Sequence, residues 1–218
     1  MRTLQKTLLA IPSSVEWDVL FPKVPYENSV QKPFVLSSSL EAACVGVGLV
    51  GFASGFTQLL GSRQYTKAIL VGIAGALPFS GLSSGTIVRV DAECVGDVGY
   101  WNDGVFSPFS KRPYCFKATS SKWAPPSIAQ LSGVRGVSVN TMTSCEQVLE
   151  FRARFYKAQV EAMEGASAFA IAKVLGIPVF EVRAISNFAG DRDVSGWNIK
   201  QSLQKVRKQI IDPMVEKF

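Results

Sequence analysis

The clearest pattern of apolar and polar positions lies between Val160 and Ile199. Small and apolar residues from Ala166 to Leu175 predict a helix that packs closely against a sheet, and Gly176 predicts its left-handed C-terminal cap. The apolar, β-branched run Pro178–Ile185 then predicts a buried strand. The polar pair Ser186–Asn187 follows, at the edge where open α/β sheets hold their ligands. The pattern therefore predicts a candidate site just beyond a central strand.

The same alternation of strand and helix patterns recurs along the chain. Further strands are predicted at 7–11, 44–47, 67–73, 86–90 and 136–141, and further helices at 14–20, 49–60, 146–152 and 198–215. A capping box at Thr143-Ser144-Cys145-Glu146 is predicted to open one of these helices. The alternation predicts an α/β fold with a central twisted mixed β-sheet flanked by helices, and residues 1–218 are predicted to form a single domain.

Two long stretches without charge raise the question of a membrane. Residues 42–62 and 68–88 contain no charged side chain, and each is long enough to span a bilayer. Both are rich in Gly and Ser, however, and buried strands of an α/β sheet are equally free of charge. We therefore expect a protein without membrane insertion.

The composition supports a globular domain with a covered sheet, since 47% of the residues are hydrophobic and 18% are charged. The net charge is +6, but the basic residues are scattered and the densest group, Lys205, Arg207 and Lys208, fits a solvated helix face. We expect no nucleic-acid partner. The positive charge can still attract an anionic small molecule.

Histidine is absent from the sequence, which excludes Ser-His-Asp and Cys-His catalysis and argues against a conventional zinc enzyme. The four cysteines, Cys44, Cys94, Cys115 and Cys145, are widely spaced and form no CxxC motif. We expect them to be reduced thiols in a cytoplasmic protein.

Two motifs of the 160–199 stretch resemble a known family. Met163-Glu164-Gly165-Ala166 and Val182-Arg183-Ala184-Ile185-Ser186-Asn187 resemble the signatures of the nucleoside phosphorylase and nucleosidase superfamily. Asn187, with the segments 191–193 and 197–199, is most similar to the futalosine hydrolases of menaquinone biosynthesis. The resemblance implies hydrolysis of a purine N-glycosidic bond in a small-molecule nucleoside, without cofactor or metal, by a homodimer.

The resemblance also implies roles for three polar side chains. Glu164 would accept hydrogen bonds from the ribose hydroxyls and stabilise the sugar cation. Glu16 would activate the attacking water. The alternative for Glu16 is a first-turn acid favoured by the helix dipole. Asn187 stands where nucleosidases of 6-aminopurines carry Asp, and an amide suits the 6-oxopurine hypoxanthine better than adenine.

Five further residues are assigned to substrate binding by the same resemblance. Met163 is expected to pack on the ribose, Ile73 to lie in a Gly-rich turn beneath it, and the backbone of Val139 to line the base. Ser186 is expected beside Asn187, and Arg192 near the carboxylate of the substrate.

Several alternatives stay open at this point. A methylthioadenosine or adenosylhomocysteine nucleosidase, a purine nucleoside phosphorylase and a silent nucleoside-binding protein all share these motifs. Asn187 argues against the first, and Ile73, which lacks a hydroxyl for phosphate, argues against the second. The aromatic segment 101–126 is expected to be either a lid or an interface.

Overall fold

The computed structural model describes residues 6–62, 65–103 and 105–215. Its strands are β1 (Lys6–Ile11), β2 (Phe34–Ser37), β3 (Leu40–Cys44), β4 (Tyr65–Ala76), β5 (Ile87–Val95), β6 (Gly99–Asn102), β7 (Val105–Pro108), β8 (Cys115–Lys117), β9 (Gly133–Ser138), β10 (Val160–Ala162) and β11 (Val179–Phe188). Its helices are α1 (Ser14–Leu20), α2 (Gly48–Ser62), α3 (Pro126–Ala129), α4 (Glu146–Phe155), α5 (Gly165–Leu175), α6 (Ile199–Val206) and α7 (Asp212–Val215), with a π-helical segment Arg207–Ile211 between the last two.

One large mixed sheet organises the described part of the chain. Its strands follow the order β10-β9-β5-β11-β4-β1-β3-β2, β8 pairs with β5, and β10 also pairs with the end of β4. The central strands β11 and β4 are parallel, while β11 and β5 are antiparallel. This arrangement confirms the predicted α/β fold with a central mixed sheet flanked by helices.

Helices cover both faces of the sheet. On one face, Trp17 of α1 and Leu203, Val206 and Ile210 of the C-terminal helix are fully buried against the strands. On the other face, Phe52 and Phe56 of α2 and Phe169 of α5 form a second core cluster. Burial of each large apolar side chain stabilises the fold by about 1.5–3 kcal/mol. The two layers hold the central strands rigidly beneath the site.

The predicted helix and strand of the 160–199 stretch are confirmed, with longer bounds for the strand. Gly176 ends α5 in the left-handed conformation, with φ of 67°. The strand β11 continues to Phe188 after a bulge between Ile185 and Asn187. Ser186 and Asn187 therefore lie at the end of the strand itself, where the bulge changes the direction of their side chains.

Two strand predictions need correction. The Gly-rich turn expected around Ile73 and Gly75 is wrong, because β4 runs through both residues to Ala76. Gly75 packs closely there, since a Cβ atom would meet the Cα atom of Ala189 at 3.1 Å. The strand predicted at 44–47 ends instead at Cys44, and the backbone then turns into α2.

The capping box predicted at Thr143 is also wrong. The helix α4 begins at Glu146 with Cys145 as its N-cap, and no side chain caps it. The hydroxyl of Thr143 accepts a hydrogen bond from the backbone N–H of Cys145 instead, at 3.0 Å. The hydroxyl of Thr143 therefore stabilises a short turn before the helix and does not cap α4.

The aromatic segment 101–126 contains part of a separate two-stranded hairpin, β6–β7, followed by β8 and α3. Within it, Cys115 lies directly opposite Cys94 of β5 and forms a disulfide with it. The expectation of reduced thiols is wrong for this pair in the structure, because strand pairing brings two cysteines distant in sequence together. Cys44 and Cys145 are free.

The two uncharged stretches, 42–62 and 68–88, form strands and a helix of this fold. Residues 42–62 cover the end of β3 and α2, and residues 68–88 cover most of β4 and the start of β5. Among the residues with described positions, no helix combines the length and hydrophobicity that crossing a bilayer requires.

Candidate active site

A cleft of about 160 Å³ lies where β1, β4 and β11 end on one side of the sheet. Its lining includes seven of the eight residues predicted from the sequence: Glu16, Ile73, Met163, Glu164, Ser186, Asn187 and Arg192. These residues come from elements far apart in the sequence. The parallel strands and α5 place them together because their relevant ends meet at one edge of the sheet.

Glu16 is fixed to both α1 and β4. Its Oε2 atom accepts hydrogen bonds from the N–H and hydroxyl of Ser13, at 3.0 and 2.6 Å, and so completes a capping box at the start of α1. Its Oε1 atom accepts the backbone N–H of Ile73 at 2.8 Å. Glu16 can therefore cap α1 and bind β4 at the same time, because each contact uses a different oxygen.

The environment of Glu16 favours its neutral form. Burial raises the pKa of its carboxyl to about 7, and the charge of Glu164 acts in the same direction. The hydrogen bond from Ser13 and the charge of Arg183 oppose the shift. A carboxyl group with a pKa near neutrality is suited to accept a proton from water.

Glu164 is held between two elements at the start of α5. Its Oε1 atom accepts the backbone N–H of Gly48 at 3.1 Å, and its Oε2 atom accepts a hydrogen bond from Arg183 at 3.1 Å. The residue is 4% exposed and the exposed part lies in the cleft. Its carboxylate is therefore oriented before any ligand binds.

Arg183 connects these groups. Its Nε atom donates to Glu181 at 2.7 Å, one terminal nitrogen donates to the carbonyl of Ile73 at 3.0 Å, and the other donates to Glu164. Burial alone would lower the pKa of Arg183, but the carboxylates of Glu181, Glu164 and Glu16 raise it above its usual value. The guanidinium stays charged and holds the acids in place.

Two further acids lie beneath Arg183 and are fully buried, Glu181 on β11 and Glu93 on β5. In the described part of the chain, Glu93 Oε1 and Glu181 Oε2 have no hydrogen-bond donor. Burial raises the pKa of Glu93 well above its usual range, and the charge of Glu181 adds to the shift. A single hydroxyl, that of Ser138, donates to Glu93 at 2.7 Å.

Ser186 and Asn187 form a polar pair at the bulge of β11. The Ser186 hydroxyl donates to Oδ1 of Asn187 at 2.7 Å, and Nδ2 of Asn187 donates to the carbonyl of Phe188 at 2.8 Å. These contacts orient the amide with Nδ2 as its donor group, and Nδ2 carries a second N–H that a ligand can accept.

Ile73 and Val139 differ from their expected roles. The side chain of Ile73 packs against the core, and its backbone N–H and C=O bind Glu16 and Arg183. Val139 is fully buried in a core cluster and is not part of the cleft lining. Met142 and Thr143, which follow Val139 in the sequence, line the cleft instead.

The family follows from a comparison of the whole chain with known proteins. The family model described as the Phosphorylase superfamily matches residues 38–213. The chain belongs to the Phosphorylase superfamily. Within it, the chain is similar to the futalosine hydrolase of Acidothermus cellulolyticus, with 29% identity over 78% of this chain and 73% of that protein. The futalosine hydrolase of Streptomyces coelicolor is 26% identical over 97% of both chains.

Solved structures show the same fold. The 5'-methylthioadenosine/S-adenosylhomocysteine nucleosidase of Helicobacter pylori in complex with butyl-thio-DADMe-Immucillin-A superposes with a TM-score of 0.76, at 18% identity and over the full length of both chains. The native futalosine hydrolase of Helicobacter pylori also gives a TM-score of 0.76, at 18% identity over 99% of each chain. At such identity the superposition establishes the Phosphorylase superfamily fold.

Several residues of this superfamily site were missed by the sequence reasoning. Glu161, Met142, Thr143 and Trp197 line the cleft, and the indole N–H of Trp197 is buried without a hydrogen-bond acceptor among the described residues. Arg183 also lines it. The run 178–185 carries two charged residues, Glu181 and Arg183, among apolar ones. This was the available signal for Arg183, since buried charges are rare unless paired.

Proposed function

We propose that this protein hydrolyses the N-glycosidic bond of futalosine and releases hypoxanthine and dehypoxanthine futalosine in menaquinone biosynthesis. The observation that carries the proposal is the meeting of Glu16, Glu164 and Asn187 in one cleft. Two acids and an amide provide a water-activating group, a ribose-binding group and a base-binding group. The relatives named futalosine hydrolase support the choice of substrate.

The sugar is the part of the substrate where positive charge develops. Glu164 carries the negative charge closest to the proposed ribose position, and a carboxylate that binds the 2′- and 3′-hydroxyls stabilises a sugar cation as it forms. Met163, the preceding residue, lines the cleft and supplies an apolar contact for the ribose. Arg183 orients the Glu164 side chain through their ion pair at 3.1 Å.

Water is the proposed nucleophile. Glu16 lines the same cleft as Glu164, and its raised pKa matches a general base that operates near neutral pH. Ile73 offers no side-chain hydroxyl at this point of β4, which favours water over phosphate as the acceptor of the ribosyl group.

The purine is proposed to lie against Asn187. The free N–H of Nδ2 can donate to O6 or N7 of hypoxanthine, both of which are acceptors. Adenine has an amino group where hypoxanthine has O6, so the amide favours the 6-oxopurine. Arg192, at the exposed edge of the cleft, is proposed to meet the carboxylate of futalosine.

The decisive experiment measures hypoxanthine release from futalosine with the purified protein, with and without phosphate. The proposal expects release that does not depend on phosphate. Release only with phosphate would indicate a phosphorylase, and preferential cleavage of methylthioadenosine would indicate the other nucleosidase class. Binding of hypoxanthine without any turnover would indicate a nucleoside-binding protein.

The proposal also covers assembly and location. We propose that the chain forms one domain that assembles as a homodimer in the cytoplasm. Large apolar side chains exposed on the described surface, including Phe79, Trp101 and Phe109, support an interface between copies.

A further inference from the structure

Glu93 and Glu181 are fully buried acids that have no role in the proposed chemistry so far. One oxygen of each is bound: Oε2 of Glu93 accepts the hydroxyl of Ser138, and Oε1 of Glu181 accepts Nε–H of Arg183, both at 2.7 Å. The second oxygens, Oε1 of Glu93 and Oε2 of Glu181, are buried without a donor in the described part of the chain. A buried acceptor without a donor costs about 1–3 kcal/mol, so both oxygens require a hydrogen that a neighbouring group can supply.

The two side chains border the same small space at the start of α5. A Cβ atom at Gly165 would meet Oε2 of Glu181 at 2.5 Å and Cγ of Glu93 at 2.6 Å. The φ angle of Gly165 is not positive, so its backbone conformation does not require glycine, and alanine is the better helix former. The glycine therefore serves the packing of the two acids, because its missing side chain lets them approach each other.

The charges around the two acids favour one proton between them. Arg183 binds Glu181 and Glu164 directly, so two carboxylates already share its charge. Burial and the charge of Glu181 raise the pKa of Glu93 well above its usual range. Burial also raises the pKa of Glu181, but there the charge and the hydrogen bond of Arg183 oppose the rise. Of the two acids, Glu93 is therefore the one that keeps a proton.

The guanidinium of Arg183 connects this buried pair to the cleft. Its Nε atom is held by Glu181, one terminal nitrogen by the carbonyl of Ile73 at 3.0 Å, and the other by Glu164 at 3.1 Å. Glu164 lines the cleft, whereas Glu181 lies beneath it and is fully buried. A change of charge at Glu181 would therefore move the donor that orients Glu164.

We propose that Glu93 carries a proton on Oε1 that is directed at Oε2 of Glu181, and that this pair of a neutral acid and a carboxylate positions Arg183 and, through it, Glu164. One hydrogen then serves both oxygens that lack a donor, and Glu181 stays ionised for Arg183. Glu93 and Glu181 act through other side chains and are positioning residues. Their effect on catalysis rests on the proposed function, whereas the position of the proton does not.

The proton is tested by infrared spectroscopy of the wild type and of Glu93→Gln. A neutral carboxylic acid has a carbonyl stretching band that lies apart from the bands of carboxylates and amides. The spectra are recorded at about pH 8, where Glu16, whose pKa is about 7, is mostly ionised. The wild type should show the band and Glu93→Gln should lose it, while Glu150→Gln, which changes a half-exposed acid on α4, should keep it. A wild type without the band, or a band that persists in Glu93→Gln, would overturn the pair.

The positioning role is tested by comparing two neutral replacements of Glu93. Glutamine can still accept from Ser138 and can donate its amide N–H to Glu181, so kcat for futalosine should stay close to the wild type. Glu93→Met has a similar size but no donor for Glu181, and it should lower kcat about tenfold or more. Glu181→Gln should lower kcat about ten- to hundredfold, because Nε of Arg183 loses its charged partner. Equal losses in Glu93→Gln and Glu93→Met would contradict the role of a neutral donor at this position.

The two measurements separate this inference from the proposed function. If futalosine is not hydrolysed but the band is present in the wild type and lost in Glu93→Gln, the shared proton stands and the substrate proposal fails. If futalosine is hydrolysed and the band is absent from the wild type, only the shared proton is overturned.

Discussion

At the scale of single residues, the carboxylates of the cleft act through two distinct oxygens. Glu16 caps α1 with one oxygen and binds β4 with the other, and Glu164 binds Gly48 and Arg183 with different oxygens. A contact that stabilises the fold and a contact that serves a ligand can therefore reside in one side chain. Mutations at these positions should affect activity more than stability when the shape of the side chain is kept.

Glu164→Gln should lower kcat for futalosine by about 10² or more, because it removes a charge that interacts most strongly with the transition state. The melting temperature should change little, since the amide keeps the shape of the side chain. Steady-state kinetics and thermal unfolding check both expectations, with the exposed Glu27→Gln as the control. Near wild-type turnover would show that Glu164 has no such role.

The raised pKa of Glu16 predicts how the activity depends on pH. Its pKa is about 7 in the folded protein, and only the ionised form can accept a proton from water. Activity should therefore be present above this pKa and be lost as the pH falls through it. A pH profile of kcat/KM should show this acidic limb, and Glu16→Ala should abolish most turnover. Asp18→Ala, on the exposed side of the same helix, should keep the limb; a flat wild-type profile would contradict the assignment.

Asn187→Asp should shift the preference of the protein from 6-oxopurines toward 6-aminopurines. A carboxylate accepts from the amino group of adenine and, when protonated, donates to N7, while it repels O6 of hypoxanthine. The mismatch costs about 1–3 kcal/mol, which corresponds to roughly ten- to hundredfold discrimination. Values of kcat/KM for futalosine and methylthioadenosine on both proteins measure the shift. A wild-type protein that cleaves both equally well would show that Asn187 does not select the base.

At the scale of elements, β5 and β11 bring acids into the interior, where the guanidinium of Arg183 faces them. From β11, Glu181 and Arg183 face Glu93, Glu164 faces it from the start of α5, and Ser138 donates to it from β9. The residue paired with Glu93 on β8 is the uncharged Phe116. The strands therefore bury Glu93 beside two other carboxylates without a cation of its own.

Glu93→Gln should stabilise the protein increasingly as the pH rises. Because the pKa of Glu93 is raised in the folded state, the unfolded chain releases this proton first, and the stability of the wild type falls as the pH rises above the usual value of 4.5. The glutamine variant has no proton to lose and can still accept from Ser138. Melting temperatures between about pH 5 and pH 8 should show a difference that grows with pH.

Glu150→Gln, which changes a half-exposed acid on α4, should show no such growth. A Glu93→Gln variant that is less stable than the wild type by the same amount at every pH would mean that Glu93 is ionised in the fold.

At the scale of the whole molecule, the chain carries a net charge of +6, and its cleft is proposed to take a carboxylate-bearing nucleoside. Long-range attraction between opposite charges raises association rates and is screened by salt within about 8–10 Å at physiological ionic strength. The value of kcat/KM for futalosine should therefore fall as salt is added. Inosine, which carries no carboxylate, should show little change in the same titration. Equal salt dependence for both nucleosides would exclude electrostatic attraction of the substrate carboxylate.

The sequence by itself determined the elements and much of the site lining. The buried strand β11, the Gly176 cap of α5 and the helix at 14–20 are local consequences of residue spacing, and the structure confirms them. Seven of the predicted site residues line one cleft because α/β connectivity collects strand ends at a common edge.

Only the tertiary structure decided which side chains share a hydrogen-bond network. Arg183 meets Glu164, and Arg152 meets Glu161, through contacts that depend on strand register and on the packing of helices. The same is true of the Cys94–Cys115 pairing and of the wall formed by Met142 and Thr143 in place of Val139. Local propensity carries no information about such partners, because the register of one strand against another is set by the packing of the whole sheet.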